Sequence, residues 1–208
     1  MRFYILAALA ALVLISAMAS IFVYDNWRQS RYDNIIIEKA EKYDLPPALI
    51  KAMIKSWSNF FIGRRPDGMG LMSVPVEGLA AYERVKMTRP YGFVCLNQHK
   101  PPHKKYPFEK SERCPICGSL YIEEYFYPET NIEIGAWYLD FLRDETEKQL
   151  VIKASSSLEL ALYAYRFGVP RLNEETNDFT NALLTERMRF DLSRVLALWN
   201  KYKGKRLK

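Results

Sequence analysis

The sequence predicts a mostly α-helical protein with an N-terminal transmembrane helix and a small metal-binding segment inserted into the helical domain. Three observations predict this class. An uncharged stretch occupies residues 3–24. Apolar residues then recur with helical spacing, and no run alternates apolar and polar residues long enough to indicate a sheet-based core. Every cysteine and histidine lies within residues 95–117.

The composition excludes several protein classes. The chain has 208 residues, of which 49% are hydrophobic and 26% charged, so it supports one globular core plus accessory segments. Its 9 glycines and 11 prolines are too few for a collagen-like or low-complexity protein. Its 3 cysteines are too few, and odd in number, for a small scaffold held by disulfides.

The N-terminal stretch is the first predicted element. As a helix, residues 3–24 extend roughly 33 Å, which is enough to cross the hydrocarbon core of a bilayer. Ala17-Met18-Ala19 also fits a signal-peptidase site before Ser20. The apolar run continues past that site and exceeds the about 7 to 15 residues usual in a signal peptide. We therefore expect an uncleaved anchor over 1–24, followed by a polar tether over 25–31.

The charges around this anchor predict its orientation. Arg2 and the amino terminus are the only charges on its short side. The positive-inside rule therefore places that end in the cytoplasm and exports the body. Arg28 and Arg31, just beyond the span, weaken this expectation.

Helical periodicity then predicts one domain over 32–202. We expect a first helix over 32–43 with Asp33 as its N-cap, ended by the Asp44–Pro47 segment. The two prolines there suit the first turn of a second helix over 47–58. This second helix presents an apolar stripe that we expect to be buried, formed by Leu49, Ile50, Met53, Ile54 and Trp57. Further helices are expected over 75–86, 129–143, 157–167 and 176–202.

A segment of different composition, residues 88–127, separates the third and fourth helices, and we interpret it as an insertion. It contains Cys114-Pro115-Ile116-Cys117-Gly118, a rubredoxin-like knuckle whose C-x-x-C turn directs two sulfurs toward one point. Cys95 and His99 supply a second pair of ligands, with His103 as the alternative to His99. A closed set of three cysteines and one histidine predicts a structural Zn²⁺ ion.

Two alternatives to the zinc site stay open. Cys114 and Cys117 can form a disulfide that leaves Cys95 over, and an oxidising compartment favours this pairing. The residues can also be inert surface groups. Zinc is preferred because a loop this polar needs the energy of metal binding to fold.

The positive charge is concentrated at the C-terminus. The chain has 30 basic and 24 acidic residues, and the basic tail over 203–208 follows directly on the last helix. Such a tail can contact nucleic acid, anionic lipid or an acidic polymer, or simply be a solvated helix end. An exported domain rarely meets nucleic acid, so we do not expect nucleic acid as its partner.

The helical domain resembles the SLT-type lytic transglycosylases, goose-lysozyme-like enzymes that cleave the glycan strands of peptidoglycan. Four blocks carry the resemblance, in the order in which that family has them. The first is Asp44 to Ile54, which is similar to the family's opening helix pair. The others are Gly68-Met69-Gly70-Leu71-Met72, Asn131-Ile132 with Gly135 and Tyr138-Leu139, and Ala164-Tyr165 with Gly168. The resemblance implies a lysozyme-like fold and a protein of the bacterial envelope, held in the inner membrane with its body in the periplasm.

The family's chemistry depends on a glutamate that protonates the glycosidic oxygen and then acts as a base. The position that matches it in this sequence is Trp57, and an indole cannot exchange a proton at neutral pH. Ser73 and Arg166 stand where the family usually has glutamine and asparagine. The resemblance therefore implies a catalytically inactive relative that binds peptidoglycan or an envelope protein. The residues expected to line its groove are Trp57, Ser58, Met72, Ser73, Tyr165 and Arg166.

Two other functions stay open. An active enzyme with a relocated acid requires another carboxylate, for which the candidates are Glu77, Glu83, Glu123 and Glu124. Of these, Glu77 and Glu83 are most simply charges on a solvated helix face. The third function is a zinc-dependent protein-interaction module in which residues 88–127 bind the partner.

Overall fold

The computed structural model describes residues 2–66, 68–86, 93–95, 113–119, 121–150, 154–168 and 186–204. These residues are mostly helical, which confirms the predicted class. The seven described α-helices are α1 (Arg2–Ser30), α2 (Asp33–Lys42), α3 (Pro47–Met53), α4 (Val76–Lys86), α5 (Pro128–Leu150), α6 (Ala154–Phe167) and α7 (Glu186–Lys203).

Helix α1 is long and apolar enough to cross a membrane, as predicted. Its side chains are exposed throughout 9–24, which suits a lipid environment. The polar residues expected to form a tether continue the helix instead. Asp25 accepts a hydrogen bond from Arg28 at 2.7 Å and another from Gln29, and pairs of this spacing stabilise a helix. Tyr202 Oη donates to Gln29 Oε1 at 3.1 Å, so the last turn of α1 contacts the last turn of α7.

Helix α2 begins as predicted, but Asp33 is not its N-cap. Tyr32 occupies the N-cap position and makes no side-chain capping bond. The Asp33 carboxylate instead accepts two hydrogen bonds from Lys51 Nζ of α3, at 2.7 and 2.8 Å. Both side chains are buried. An unpaired buried carboxylate costs more free energy than an uncapped helix end, so Asp33 pairs with Lys51 and does not cap α2.

Helix α3 continues into a single π-helical turn, Ile54–Ser58. The two together match the helix predicted over 47–58. Asn59, with a φ of 49°, ends the turn in the left-handed region. All five residues of the predicted apolar stripe are buried, which confirms that face. π-Turns inside helices are often found at functional sites, and this one carries Trp57.

The later helices follow the prediction with two differences. Helix α5 extends to Leu150, beyond the predicted end at 143, because polar residues of its last turns bond to one another. Arg143 pairs with Asp140 at 2.5 Å, and Lys148 pairs with Glu145 at 3.1 Å. The last predicted helix is described from Glu186, and its residues 176–185 lie outside the described residues.

The described strands are short and antiparallel. β1 (Arg64–Arg65) pairs with β2 (Gly68–Met69), and β3 (Phe93–Cys95) pairs with β4 (Tyr121–Glu123). A 3₁₀ turn, Glu124–Phe126, leads from β4 toward α5. The core lies among the helices: α5 packs on α2, α4 and α6, while α3 packs on α2 and α7.

Candidate functional site

Three of the four sequence blocks meet around the side chain of Asn131. Its Oδ1 accepts a hydrogen bond from the backbone N–H of Met72 at 2.8 Å. Its Nδ2 donates to the carbonyls of Met69 at 3.0 Å and Tyr125 at 2.9 Å. Asn131 is 1% exposed, so all these bonds are shielded from water. The first turn of α5 thus fixes the Gly68–Met72 turn through one buried amide.

Two glycines make this close approach possible. Gly70 has a φ of 70°, and a Cβ at this position would collide with the Asn131 side chain. A Cβ on Gly135, one turn further along α5, would lie 2.5 Å from Met72 Cβ and 3.0 Å from Tyr165 Oη. Glycine is needed at both positions because their backbones lie close to side chains on the other side of the junction.

Tyr165 joins the fourth block to the same junction. Its Oη donates to the Met72 carbonyl at 3.0 Å. The ring is 1% exposed, and burial raises the pKa of its hydroxyl well above the ordinary value of 10.0. The hydroxyl is consequently neutral at pH 7 and acts as a hydrogen-bond donor to the turn.

Trp57 lies against this junction. Its ring stacks on Tyr165 with centroids 5.4 Å apart and an interplanar angle of 17°. The guanidinium carbon of Arg166 lies 5.6 Å from the indole centroid, on the distance scale of a cation–π contact. Arg65 donates to the Trp57 backbone carbonyl at 3.0 Å. The indole is 7% exposed, and its Nε1 has no hydrogen-bond partner among the described residues.

The other residues expected to line a groove are largely buried. Ser58 is fully buried, and its Oγ donates to the Ile54 carbonyl at 2.9 Å. Met72 is fully buried, and Ser73 is 3% exposed with a left-handed φ of 47°. Groove lining by these residues stays a prediction.

A cavity of about 680 Å³ opens beside Trp57, and we call it the arginine-lined cavity. Its wall includes Arg64, Arg65, Glu77, Tyr125 and Arg166. A second cavity of about 380 Å³ shares Glu77 and Arg166 with it and adds Tyr165. Trp57 is not in the wall of either cavity and lies behind Arg65 and Arg166.

Among the four alternative carboxylates, the two cavities include Glu77 and leave out Glu83, Glu123 and Glu124. Glu77 is exposed, as its predicted solvated position requires, whereas Glu83 is half-buried. Sequence reasoning missed Arg64 and Arg65. The signal was the paired arginines of Gly63-Arg64-Arg65-Pro66, directly before the Gly68–Met72 turn that the resemblance had already singled out.

A second candidate site is formed by the cysteines. The sulfurs of Cys95, Cys114 and Cys117 all lie within 4.8 Å of one another. Cys95 Sγ and Cys117 Sγ are 3.6 Å apart. Two thiolates on one tetrahedral zinc ion are about 3.8 Å apart, whereas disulfide sulfurs are about 2 Å apart. None of the three forms a disulfide, and sulfurs this close together could hold a metal ion.

The local backbone explains how the sulfurs converge. Gly118 has a φ of 70°, which closes the knuckle, and its N–H donates to the Cys114 carbonyl at 2.7 Å. Cys114 N–H donates to the Ser119 carbonyl at 2.8 Å. Cys95 ends β3 opposite Tyr121, which brings its sulfur to the knuckle. His99 and His103, the candidates for the fourth ligand, lie outside the described residues.

Comparison of the chain with protein-family models and with curated proteins finds no match.

Proposed function

We propose that the protein is a membrane-anchored, transglycosylase-like protein of the bacterial envelope that binds peptidoglycan glycan strands without cleaving them. The observation that carries the proposal is the environment of Trp57. An indole occupies the position that corresponds to the family's acid. It stacks on Tyr165 and lies beside the guanidinium of Arg166, while Arg65 donates to the Trp57 backbone carbonyl. These groups offer no proton at neutral pH to a glycosidic oxygen.

The junction around Asn131 supports the fold on which this proposal depends. Three of the four resembling blocks, far apart in the sequence, each contribute a residue to one buried contact: Met72, Asn131 and Tyr165. The motif residues that shape the backbone are present and make the buried contacts, whereas the position of the acid is occupied by Trp57.

The cysteine site supports the zinc component of the proposal. Cys95, Cys114 and Cys117 would hold Zn²⁺ together with His99 or His103, and the ion would have a structural role because all four positions are filled by protein. The ion would stabilise the β3–β4 segment in the way that structural zinc stabilises other small domains.

The anchor supports a position at the inner membrane. Helix α1 has the length and composition for a single span, and Tyr24 and Trp27 are exposed at its far end, where aromatic residues favour the membrane surface. We place the body in the periplasm, where peptidoglycan lies. The partner is then the glycan itself or an envelope protein bound beside it.

Glu77 favours a second candidate function, an active transglycosylase with a relocated acid. It is the one carboxylate that the walls of both described cavities share. It is exposed, however, and does not lie on the helix end that carries the acid in the resembled family. Glu77 is therefore the residue to replace if any activity is found.

Co-sedimentation tests the binding proposal. The full-length chain in nonionic detergent is mixed with purified peptidoglycan sacculi and centrifuged, with chymotrypsinogen, a basic protein of similar size, as the control for nonspecific charge. We expect the protein in the pellet and the control in the supernatant. A protein that stays in the supernatant over a range of sacculus concentrations would contradict glycan binding.

A further inference from the structure

The arginine-lined cavity contains two guanidinium groups with no acidic partner among the residues the structure describes. Arg64 donates to Tyr125 Oη at 3.2 Å, and Arg65 donates to the Trp57 carbonyl at 3.0 Å. Both acceptors are uncharged. A guanidinium has five N–H donors, so each arginine has donors left for a ligand.

The other charges of the wall leave the cavity positive. Arg166 is a third cation, and it pairs with Asp191 at 3.5 Å. Glu77 is the one carboxylate among the described lining residues. A concave site with excess charge of one sign concentrates ligands of the opposite sign.

The remaining wall is suited to a sugar. Met69, Leu79 and Tyr125, all buried, contribute apolar atoms to the wall. Pyranose rings have apolar faces that pack on such surfaces while their hydroxyls bond to polar groups at the edge. The volume of about 680 Å³ is within the range of pockets that hold small ligands.

We propose that the arginine-lined cavity binds a saccharide that carries a carboxylate, with Arg64 and Arg65 as its main contacts to the anion. This inference rests on the proposed function, because it names the charged group by which the same cavity selects its glycan. A guanidinium binds a carboxylate through paired, charge-assisted hydrogen bonds. With Arg166 paired to Asp191, the positive charges of Arg64 and Arg65 exceed the negative charge of Glu77 by about one unit, which a single carboxylate balances.

Titration calorimetry on the full-length chain in nonionic detergent tests this selection. The probes are peptide-free glycan oligosaccharides with free lactyl carboxylates and the same oligosaccharides after conversion of the carboxylates to methylamides. We expect the carboxylate form to bind about tenfold more tightly. The difference should shrink as salt is added, because exposed charges are screened.

Arg64→Gln is the test variant, because Arg64 is exposed and its replacement leaves the packing on Trp57 intact. It should lose most of the preference for the carboxylate form, because Arg65 is then the one contact left of the two assigned to the anion. Arg194→Gln, which removes an exposed arginine of α7 outside the cavity wall, should keep the preference. Circular dichroism with an unchanged melting temperature checks that both variants fold.

The outcomes separate this inference from the proposed function. Equal binding of the two probes by the unmodified protein would overturn the selection of carboxylate and leave glycan binding in place. Binding of neither probe would overturn both. A folded Arg64→Gln variant that keeps the full preference for the carboxylate form would contradict the contact assigned to Arg64. Tighter binding of a phosphorylated oligosaccharide of the same length would overturn the choice of carboxylate.

Discussion

The junction around Asn131 and the cysteine knuckle (residues 113–119 with β3 and β4) are held together by different means. At the junction, the buried side chains of Asn131 and Tyr165 form hydrogen bonds with the Met72 backbone. In the knuckle, Cys95 and Cys114 are buried, while Ile116 between the cysteines is 71% exposed. The body has a packed interior, and we therefore expect the knuckle to depend more than the body on what its sulfurs bind.

The largest expected effect is metal removal, which should break the knuckle and spare the body. Binding energy of about 10 kcal/mol or more is typical of structural zinc. The described residues of the knuckle take no part in the hydrophobic core that holds the body together. Zinc analysis of the purified chain should give one ion, and Cys117→Ser should lose most of it. After chelation, trypsin should cut within 88–127 while the helical signal in circular dichroism stays near its starting value.

Ser119→Ala is the matched control for that experiment, because Ser119 contributes its backbone carbonyl to the knuckle. It should keep the zinc. His99→Ala and His103→Ala should differ, and the one that loses zinc identifies the fourth ligand. Simultaneous loss of the helices and of the knuckle on chelation would contradict the independence of the two regions.

The second expected effect is a loss of stability in the helical body. Lys51→Met leaves the buried Asp33 carboxylate without its partner, which should lower the free energy of unfolding by about 3 to 5 kcal/mol. The zinc content should not change. Replacing both partners, as Asp33→Leu with Lys51→Met, should recover much of the loss because no buried charge is then left unpaired. Denaturant titration of the full chain in detergent measures both.

Lys148→Met is the control for this pair. Lys148 is exposed and pairs with Glu145 on the surface of α5, so its loss should change stability by less than about 0.5 kcal/mol. An equally small change for Lys51→Met would contradict the role given to the buried pair.

The third effect tests the junction itself. Asn131→Ala removes three buried hydrogen bonds and leaves the Met72 N–H and two carbonyls unsatisfied, which should cost about 3 kcal/mol. Asn200→Ala, at an exposed position of α7, should have almost no effect. The same denaturant titration measures both variants, and similar stabilities would show that the amide does not hold the turn.

The smallest effect is a dependence of the body's stability on pH. Burial by itself would raise the pKa of Glu133, but hydrogen bonds from Lys42 and Tyr43 lower it overall below its ordinary value of 4.5. A lowered carboxyl pKa contributes stability that is present above pH 4.5 and is lost as pH falls through the folded value. Glu133→Gln should therefore be less stable than the unmodified protein at pH 7, by about 1 kcal/mol or less. The difference should vanish near pH 3.

Glu41→Gln, an exposed glutamate of α2, controls for the general loss of one negative charge. It should match the unmodified protein at both pH values. A Glu133→Gln difference that persists unchanged at pH 3 would show that the effect comes from packing and not from ionisation.

Much of the fold could be predicted from local sequence signals. The stripe from Leu49 to Trp57 has helical spacing, and all its members are buried. The prediction of Asp33 as the N-cap was wrong because Lys51, 18 positions away in the sequence, binds its carboxylate. No local pattern contains that information. The predicted end of α5 was also wrong. The ion pairs of its last turns extend the helix beyond the end of its apolar stripe.

The candidate sites divide in the same way. The three cysteines could be predicted to converge because the C-x-x-C spacing and Gly118 specify the knuckle almost by themselves. Arg64 and Arg65 could not be assigned to a cavity. The cavity exists only where the β1–β2 hairpin comes close to Arg166 of α6, and residues about 100 positions apart create it.

The most direct test of the central claim, that the protein does not cleave peptidoglycan because Trp57 stands at the position of the acid, is mass spectrometry of soluble products. The full-length chain in detergent is incubated with intact peptidoglycan beside an active lytic transglycosylase. We predict no anhydro-muropeptides from the unmodified protein while the active enzyme releases them in the same buffer. Anhydro products from the unmodified protein would contradict the claim, and their loss in Glu77→Gln would assign the acid.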